Sequence, residues 1–174
     1  MRYFFEVILI MKIKEYNRES AIEYAKKWAY KRNPKYYNFD FVGGDCTSFA
    51  SQCLYSGGGV MNYNLNGWYY KNGYNKSPSW SGVEFLYQFL INNKNIGPFG
   101  SNSKYNEVEK GDLIQLSFDK EKFSHTLIVV DVLLKHNYRN IYVAAHTDDC
   151  FYRNILEYRF KDIRFIKIDG IRVY

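Results

Sequence analysis

The chain has 174 residues, 47% of them hydrophobic and 20% aromatic, and carries a formal net charge of +6. This length suits one domain with one core, and the aromatic content excludes the composition of a disordered chain. The positive charge favours anionic surroundings, but lysine and arginine are scattered without a dense run, which indicates a solvated basic face and no nucleic-acid partner.

The N-terminal segment, residues 1–11 (MRYFFEVILIM), is apolar but is interrupted by Glu6. It is too short to span a bilayer, and no small-residue cleavage site precedes Lys12, so we expect no integral membrane segment and recognise no signal peptide. We treat residues 1–15 as a lead-in that forms a strand or is disordered. Residues 16–174 are then expected to form a single domain.

Two helices are predicted in the first third of the chain. Asn17 can cap the first, which must stop near Pro34 and whose apolar residues recur at spacings of three and four. Those apolar residues are Ala21, Tyr24, Ala25 and Trp28. The second helix follows the residues GGDC at 43–46 and ends at the three glycines 57–59. Cys46 is therefore expected at a helix N-terminus.

The rest of the chain changes from a loop and one helix to strands. Residues 60–81 show little periodicity, which predicts a long ordered loop, and a helix is expected over residues 82–92 before an Asn/Gly-rich stretch. Strands are predicted at residues 113–118, 124–134, 141–146 and 165–173. Helices first and strands second indicate an α+β fold, with N-terminal helices packed on a small antiparallel β-sheet.

The three cysteines, Cys46, Cys53 and Cys150, cannot all pair. The first two lie seven residues apart on one predicted helix, a rise of about 10 Å, which is too long for a disulfide. Their spacing lacks the paired histidines of a zinc site, so we expect neither a metal nor a cofactor. Cys53 lies in the apolar face of its helix and fits a buried structural role.

Cys46 is the candidate nucleophile. A helix N-terminus lowers the pKa of a thiol, and so does a nearby histidine, which favours the reactive thiolate. The glycines before Cys46 clear the approach to it. Its backbone N–H, unpaired at a helix start, could help to hold the oxyanion of a tetrahedral intermediate. The alternative is a small buried apolar residue without chemistry.

Three histidines are available as the base. His136 lies in a polar turn, whereas His125 and His146 each stand at the end of a predicted strand. His125 heads the apolar strand HTLIVVDV and is the preferred base, with a solvated strand-end histidine as the alternative. His146 could accept the ring N–H of His125 and fix its tautomer, and Asp148 could do the same. Strand register does not choose between them, because a single bulge would change it.

Several segments of the chain match the motifs of one known family. They are YNRESAIEYAKKWAYKRNPKYYNFD, GGDCTSFASQCLYSGG, WYY, SPSW, KGDLIQL, SHTLIVV and AAHTDD. They extend over residues 16–173, and GGDCTSF with a later GD…H…H series is far more specific than a lone cysteine and histidine. The chain resembles the bacterial family described as a "putative amidase domain", a relative of the NlpC/P60 and CHAP branches of the papain-like hydrolases.

The resemblance implies a papain-like (NlpC/P60-like) fold and a cysteine amidase or peptidase. The implied triad is Cys46, His125 and His146, with amide hydrolysis through an acyl-enzyme on the cysteine. Asp45 is shared with the family's DC pair, and we interpret it as structural, capping the helix. Asp112, in the GD turn, is expected to shape that turn.

The implied substrate is the peptide part of bacterial cell-wall peptidoglycan, cleaved by a monomer at the cell envelope or outside the cell. A basic groove around Trp68, Tyr69, Tyr70 and Trp80 would suit such a polymer. The same triad could instead perform transacylation or deamidate a protein glutamine. The alternative from another class is a module that holds wall polymer without cleaving it.

Overall fold

The computed structural model describes residues 10–134 and 137–174, so the predictions for residues 1–9 and for His136 lie outside the described residues. The helices are α1 (Arg18–Trp28), α2 (Cys46–Gly58), α3 (Pro78–Ser81) and α4 (Val83–Asn92). The strands are β1 (Lys12–Lys14), β2 (Gly97–Ser103), β3 (Leu113–Ser117), β4 (His125–Val132), β5 (Ile141–Ala145), β6 (Cys150–Asn154) and β7 (Asp162–Val173). Short 3-10 turns lie at Tyr138–Asn140 and Ile155–Glu157.

The two long N-terminal helices form as their sequences predict. The Asn17 side chain accepts a hydrogen bond from the Ser20 N–H at 2.9 Å and caps α1, whose Ala21 and Ala25 are fully buried. The second helix ends at Gly59, whose φ of +75° is the left-handed conformation that glycine adopts without strain. Both predicted helix positions are confirmed.

All the strands join one antiparallel sheet in the order β1-β7-β3-β4-β5-β6, and β2 also pairs with β7. Ile166 of β7 pairs with both Leu113 of β3 and Asn102 of β2, so those two strands lie along opposite edges of β7. The expectation of an α+β structure with helices and an antiparallel sheet is confirmed.

Strands β2 and β6 are additions to the predicted strands. The sequence of β2, GPFGSNS, has no alternation of apolar and polar residues, and it becomes a strand because β7 supplies its backbone partners. Where the register of this pair shifts, a Cβ on Gly100 would come within 2.3 Å of the Lys167 carbonyl oxygen. Part of the lead-in is also a strand, since β1 pairs with β7.

The sheet separates two groups of buried side chains. Alternate residues of β4 point to opposite faces. Ile128 and Val130 join the larger cluster, which includes the apolar residues of α1, α2 and α4. Leu127 and Val129 join the second cluster, with residues of β3, β5 and β7. The N-terminal end of β4 therefore meets the helices on one side and a separate apolar layer on the other.

Candidate active site

Two left-handed glycines lead the chain into α2. Gly43 and Gly44 have φ values of +87° and +95°, and a Cβ on Gly44 would come 3.1 Å from the Thr147 hydroxyl oxygen. Next to this close approach, the backbone N–H of Asp45 donates to Thr147 Oγ1 at 2.9 Å. The turn after β5 is thereby joined to the start of the helix that carries Cys46.

Cys46 is the first residue of α2 and is only 6% exposed. Its thiol contacts the Thr47 hydroxyl at 3.8 Å, and the backbone of Thr126 lies close enough to affect the pKa of the thiol. The Thr47 and Thr126 hydroxyl oxygens lie 2.9 Å apart. The residue after Cys46 is therefore held against the second residue of β4, which follows His125 in the chain.

Burial raises the pKa of the Cys46 thiol, and the hydrogen bonds from the Thr126 N–H and from Thr47 oppose that effect. A buried thiolate loses its hydration, so desolvation favours the neutral form. In this conformation the cysteine therefore rests as a thiol. This differs from the thiolate that the helix N-terminus alone suggests.

His125 begins β4, is 6% exposed, and lies beside the rings of Tyr158 and Phe118, with ring centroids 5.7 Å and 6.3 Å away. Its Nε2 is buried without a hydrogen-bond partner in the described part of the chain. Burial lowers the pKa of His125 to about 4, while the charge of Asp148 acts to raise it and that of Arg153 to lower it. The imidazole is therefore neutral at physiological pH and available as a base.

Asp148 is the carboxylate whose charge acts on His125. Its side chain is 64% exposed and forms an ion pair with Arg153. The guanidinium of Arg153 also lies over the ring of Tyr158, 5.3 Å from its centroid. Asp148, Arg153 and Tyr158 thus form one side of the surroundings of His125.

His146 has different partners from those that the sequence suggested. Its Nδ1 lies 2.6 Å from Asp45 Oδ2, and its Nε2 lies 2.9 Å from the Trp28 carbonyl oxygen. A carbonyl only accepts, so Nε2–H donates to the Trp28 carbonyl, while Nδ1 contacts the Asp45 carboxyl group. The ring, which is 1% exposed, also stacks on Phe49. Neither ring nitrogen of His146 is left to accept the N–H of His125.

Asp45 does not cap α2 with its side chain, so this part of the prediction is corrected. One carboxylate oxygen accepts the Phe39 N–H at 3.1 Å, and the other contacts His146. The carboxylate thus holds the turn before Cys46 to the end of β5. The structural role remains, but it is a tertiary contact between segments instead of a helix cap.

Arg32 is a residue of the candidate site that the sequence pattern does not single out, because it is one of many lysines and arginines scattered along the chain. Its guanidinium forms two hydrogen bonds to Asp40 and two to Asp149, at 2.8–2.9 Å. Asp40 belongs to the turn before Cys46, and Asp149 follows Asp148. Planar, paired carboxylate contacts are the geometry that arginine supplies. No local pattern signalled it, since its partner Asp149 is 117 residues away.

Asp112 shapes its turn as predicted, since its Oδ2 accepts the Glu109 N–H at 2.9 Å. The same carboxylate also accepts from Arg18 Nη1 at 2.7 Å and from the Ile168 N–H at 3.0 Å. Asp112 therefore connects the turn before β3 to α1 and β7, away from the groups around Cys46.

The predicted aromatic groove is not present as a set of four exposed rings. Trp68 and Trp80 have no exposed surface and pack in the larger core cluster, with ring centroids 5.1 Å apart. The Trp68 N–H donates to the Ser51 hydroxyl on α2. Tyr69 and Tyr70 are half-buried. The two tryptophans therefore belong to the core and not to a groove wall.

Cys46, Cys53 and Cys150 are all buried and free. Within residues 10–134 and 137–174, no group of three or more His, Cys, Asp and Glu side chains is arranged to hold a metal ion. The helices in that same part of the chain are too short or too polar to cross a bilayer.

Comparison with known proteins places this chain in a family. The family described as "Putative amidase domain" matches residues 15–168, so the chain belongs to that family, whose description suggests amide hydrolysis. Among curated proteins, the chain is similar to "Uncharacterized protein YhbB" of Bacillus subtilis (strain 168), with 37% identity over 120 residues. That alignment covers 67% of this chain and 37% of the Bacillus protein. No solved structure matches.

Proposed function

We propose that this chain is a cysteine amide hydrolase of the papain-like class, related to the NlpC/P60 and CHAP enzymes, with Cys46 as nucleophile and His125 as base. The observations that carry the proposal are the 2.9 Å contact between the Thr47 and Thr126 hydroxyls, which joins the residue after Cys46 to the residue after His125, and a buried imidazole whose Nε2 has no partner within the described residues. A buried polar atom without a partner calls for an explanation, and a proton acceptor for chemistry provides one.

The electrostatics favour a neutral starting pair. Because burial raises the pKa of the thiol and lowers that of the imidazole, the proton stays on Cys46 until substrate arrives. His125 then accepts that proton as the sulfur attacks the amide carbonyl carbon. The resulting oxyanion is stabilised by backbone N–H groups at the start of α2, where the Cys46 N–H is a candidate donor.

The remaining steps return both groups to their starting state. Protonated His125 donates its proton to the leaving amine as the C–N bond breaks, which leaves an acyl group on Cys46. Neutral His125 then takes a proton from water as the water attacks the thioester. The collapse of this second intermediate releases the carboxylic acid and restores the thiol.

Asp148 is the proposed orienting residue for His125, in preference to His146. The charge of Asp148 favours the protonated imidazole that forms during the reaction, as its effect on the pKa of His125 indicates. Both nitrogens of His146 are engaged by Asp45 and Trp28. We assign His146 instead to positioning the start of α2.

The proposed substrate is a peptide of cell-wall peptidoglycan, cleaved by a monomer of this chain. This choice rests on the resemblance to wall-cleaving relatives. A different acceptor or leaving group would convert the same acyl-enzyme chemistry into transacylation or deamidation, and products distinguish these reactions.

The test is incubation with soluble peptidoglycan fragments followed by mass spectrometry of both the fragments and the protein. We expect new amine and carboxyl ends and an acyl adduct on Cys46, with all cleavage lost in Cys46→Ala. Cys53→Ala is the matched control, because it removes a thiol from the same helix without touching the site. Ammonia release from an uncleaved chain would indicate deamidation, and binding without any product would indicate a non-catalytic module.

A further inference from the structure

A cleft of about 720 Å³ lies along α4, apart from the groups around Cys46 and His125. Its volume is in the range of small-molecule binding sites, about 300–1,000 Å³. One wall is a single face of α4, since its residues follow the helical spacing of three and four. These residues are Phe85, Gln88, Phe89 and Asn92. Asn62, residues 64–67 and residues 78–79 form the opposite wall.

Side-chain amides dominate the polar lining of this cleft, which we call the amide cleft. Asn62 and Asn93 are buried, and their amides are engaged by backbone groups that fix the shape of the walls. Asn64, Asn66 and Asn95 are exposed, and their side chains form no hydrogen bond with the described residues. Each free amide offers two donor hydrogens and an acceptor oxygen. The amide cleft thus presents both donors and acceptors on a built framework.

The apolar and charged groups of the amide cleft restrict its ligand further. Phe85 lies on its wall, is 61% exposed, and offers an aromatic face with partial negative charge. Lys94 is the single charged residue of the lining, and no carboxylate lines the cleft. A strongly charged ligand would find little complementary charge here. The chemistry suits a neutral molecule with many hydroxyls and an apolar C–H face.

We propose that the amide cleft binds a neutral oligosaccharide. Its hydroxyls would exchange hydrogen bonds with the amides of Asn64, Asn66 and Asn95, while the C–H face of one sugar ring packs on Phe85. The cleft follows α4 from Phe85 to Asn92, and eight residues of helix span about 12 Å, which is longer than one sugar ring.

The amide cleft is connected to the proposed active site through the start of α4. Gln115 Nε2 donates both to the Val83 carbonyl and to the Thr126 hydroxyl, and that hydroxyl contacts Thr47. A saccharide in the amide cleft would therefore contact a helix that hydrogen bonds connect to Thr47, the residue after Cys46. The binding proposal does not depend on chemistry at Cys46, because it is tested by binding alone.

The experiment is a titration of the full, ¹⁵N-labelled chain, followed by NMR of the side-chain amide signals. The probes are maltotriose, N,N′,N″-triacetylchitotriose and, for comparison, trialanine. We expect at least one saccharide to shift the signals of Asn64, Asn66 and Asn95. Because Phe85 is largely exposed, Phe85→Ala should fold normally and weaken saccharide binding about tenfold.

Tyr74→Ala is the matched control, since Tyr74 is fully exposed and does not line the amide cleft. This variant should bind the saccharide as the parent does. The proposal is overturned if neither saccharide shifts these signals into the millimolar range. It is equally overturned if Phe85→Ala binds normally, or if trialanine shifts the same amides as strongly as the saccharides.

Discussion

Replacing Asp45 by Asn tests whether the contact with His146 is structural. Asparagine keeps the shape and an oxygen for the Phe39 N–H, but it removes the charge that His146 Nδ1 contacts at 2.6 Å. Both side chains are almost fully buried. Breaking one partner of a buried pair costs about 3 kcal/mol. In a chain of this size, such a loss lowers Tm by about 6–12 °C.

Asp148→Asn is the matched change, because it makes the same chemical substitution at a carboxylate that is largely exposed. An exposed ion pair contributes about 0–1 kcal/mol, so stability should change little. If Asp148 orients His125, however, kcat should fall by about 10²- to 10⁴-fold. One asparagine substitution should therefore act on stability and the other mainly on catalysis.

The assay is urea unfolding followed by tryptophan fluorescence, with kcat measured on the same preparations. A double-mutant cycle of Asp45→Asn with His146→Gln should give a coupling energy of about 1.5–3 kcal/mol, as expected for a charge-assisted hydrogen bond. The reasoning is refuted if Asp45→Asn is as mild as Asp148→Asn, or if the two changes of the cycle are simply additive.

Further predictions concern the base, the arginine contacts and the core. Neutral imidazole is the base, and burial lowers the pKa of His125 to about 4, so kcat/KM should persist below pH 6.5 and fall near pH 4. A decrease of kcat/KM centred at pH 6.5 would contradict this prediction. In the unfolded chain His125 binds its proton near pH 6.5, so the free energy of unfolding should decrease as the pH falls from 6.5 to 4. In urea titrations His125→Gln should remove this contribution to the pH dependence. Arg32→Lys keeps the charge but loses the paired contacts, so the free energy of unfolding should decrease by about 1–3 kcal/mol and kcat should fall. A kcat equal to that of the parent would show that Arg32 does not help to position Cys46. Trp68→Phe should lower the free energy of unfolding by about 1–2 kcal/mol and leave KM unchanged. A raised KM at parental stability would indicate instead that Trp68 contacts substrate in a groove.

The helices could be predicted because their signals are local. Asn17 supplies a cap three residues before the backbone N–H that it binds, and Gly59 ends α2 by its own conformational freedom. Cys46 at a helix start follows from the same local pattern. By contrast, the pattern of β2 is not local, because its strand character depends on pairing with β7.

The aromatic residues illustrate a different failure of sequence reasoning. Trp68 and Trp80 stand in a segment with little periodicity, which favoured exposure in a loop. In the structure that loop folds back over α2, where Trp68 donates to Ser51 and both rings are buried. Composition shows that a tryptophan needs a partner for its N–H, but it does not show which partner lies nearby.

The sequence by itself determined the α+β order of elements, the family motifs and the placement of Cys46 and His125 at the ends of their elements, because all of these follow from short-range patterns. Only the tertiary structure decided the partners of His146, since its two hydrogen bonds join residues 101 and 118 positions apart in the chain. It also decided the pKa values, because desolvation depends on what covers a group in space and not on its neighbours in sequence.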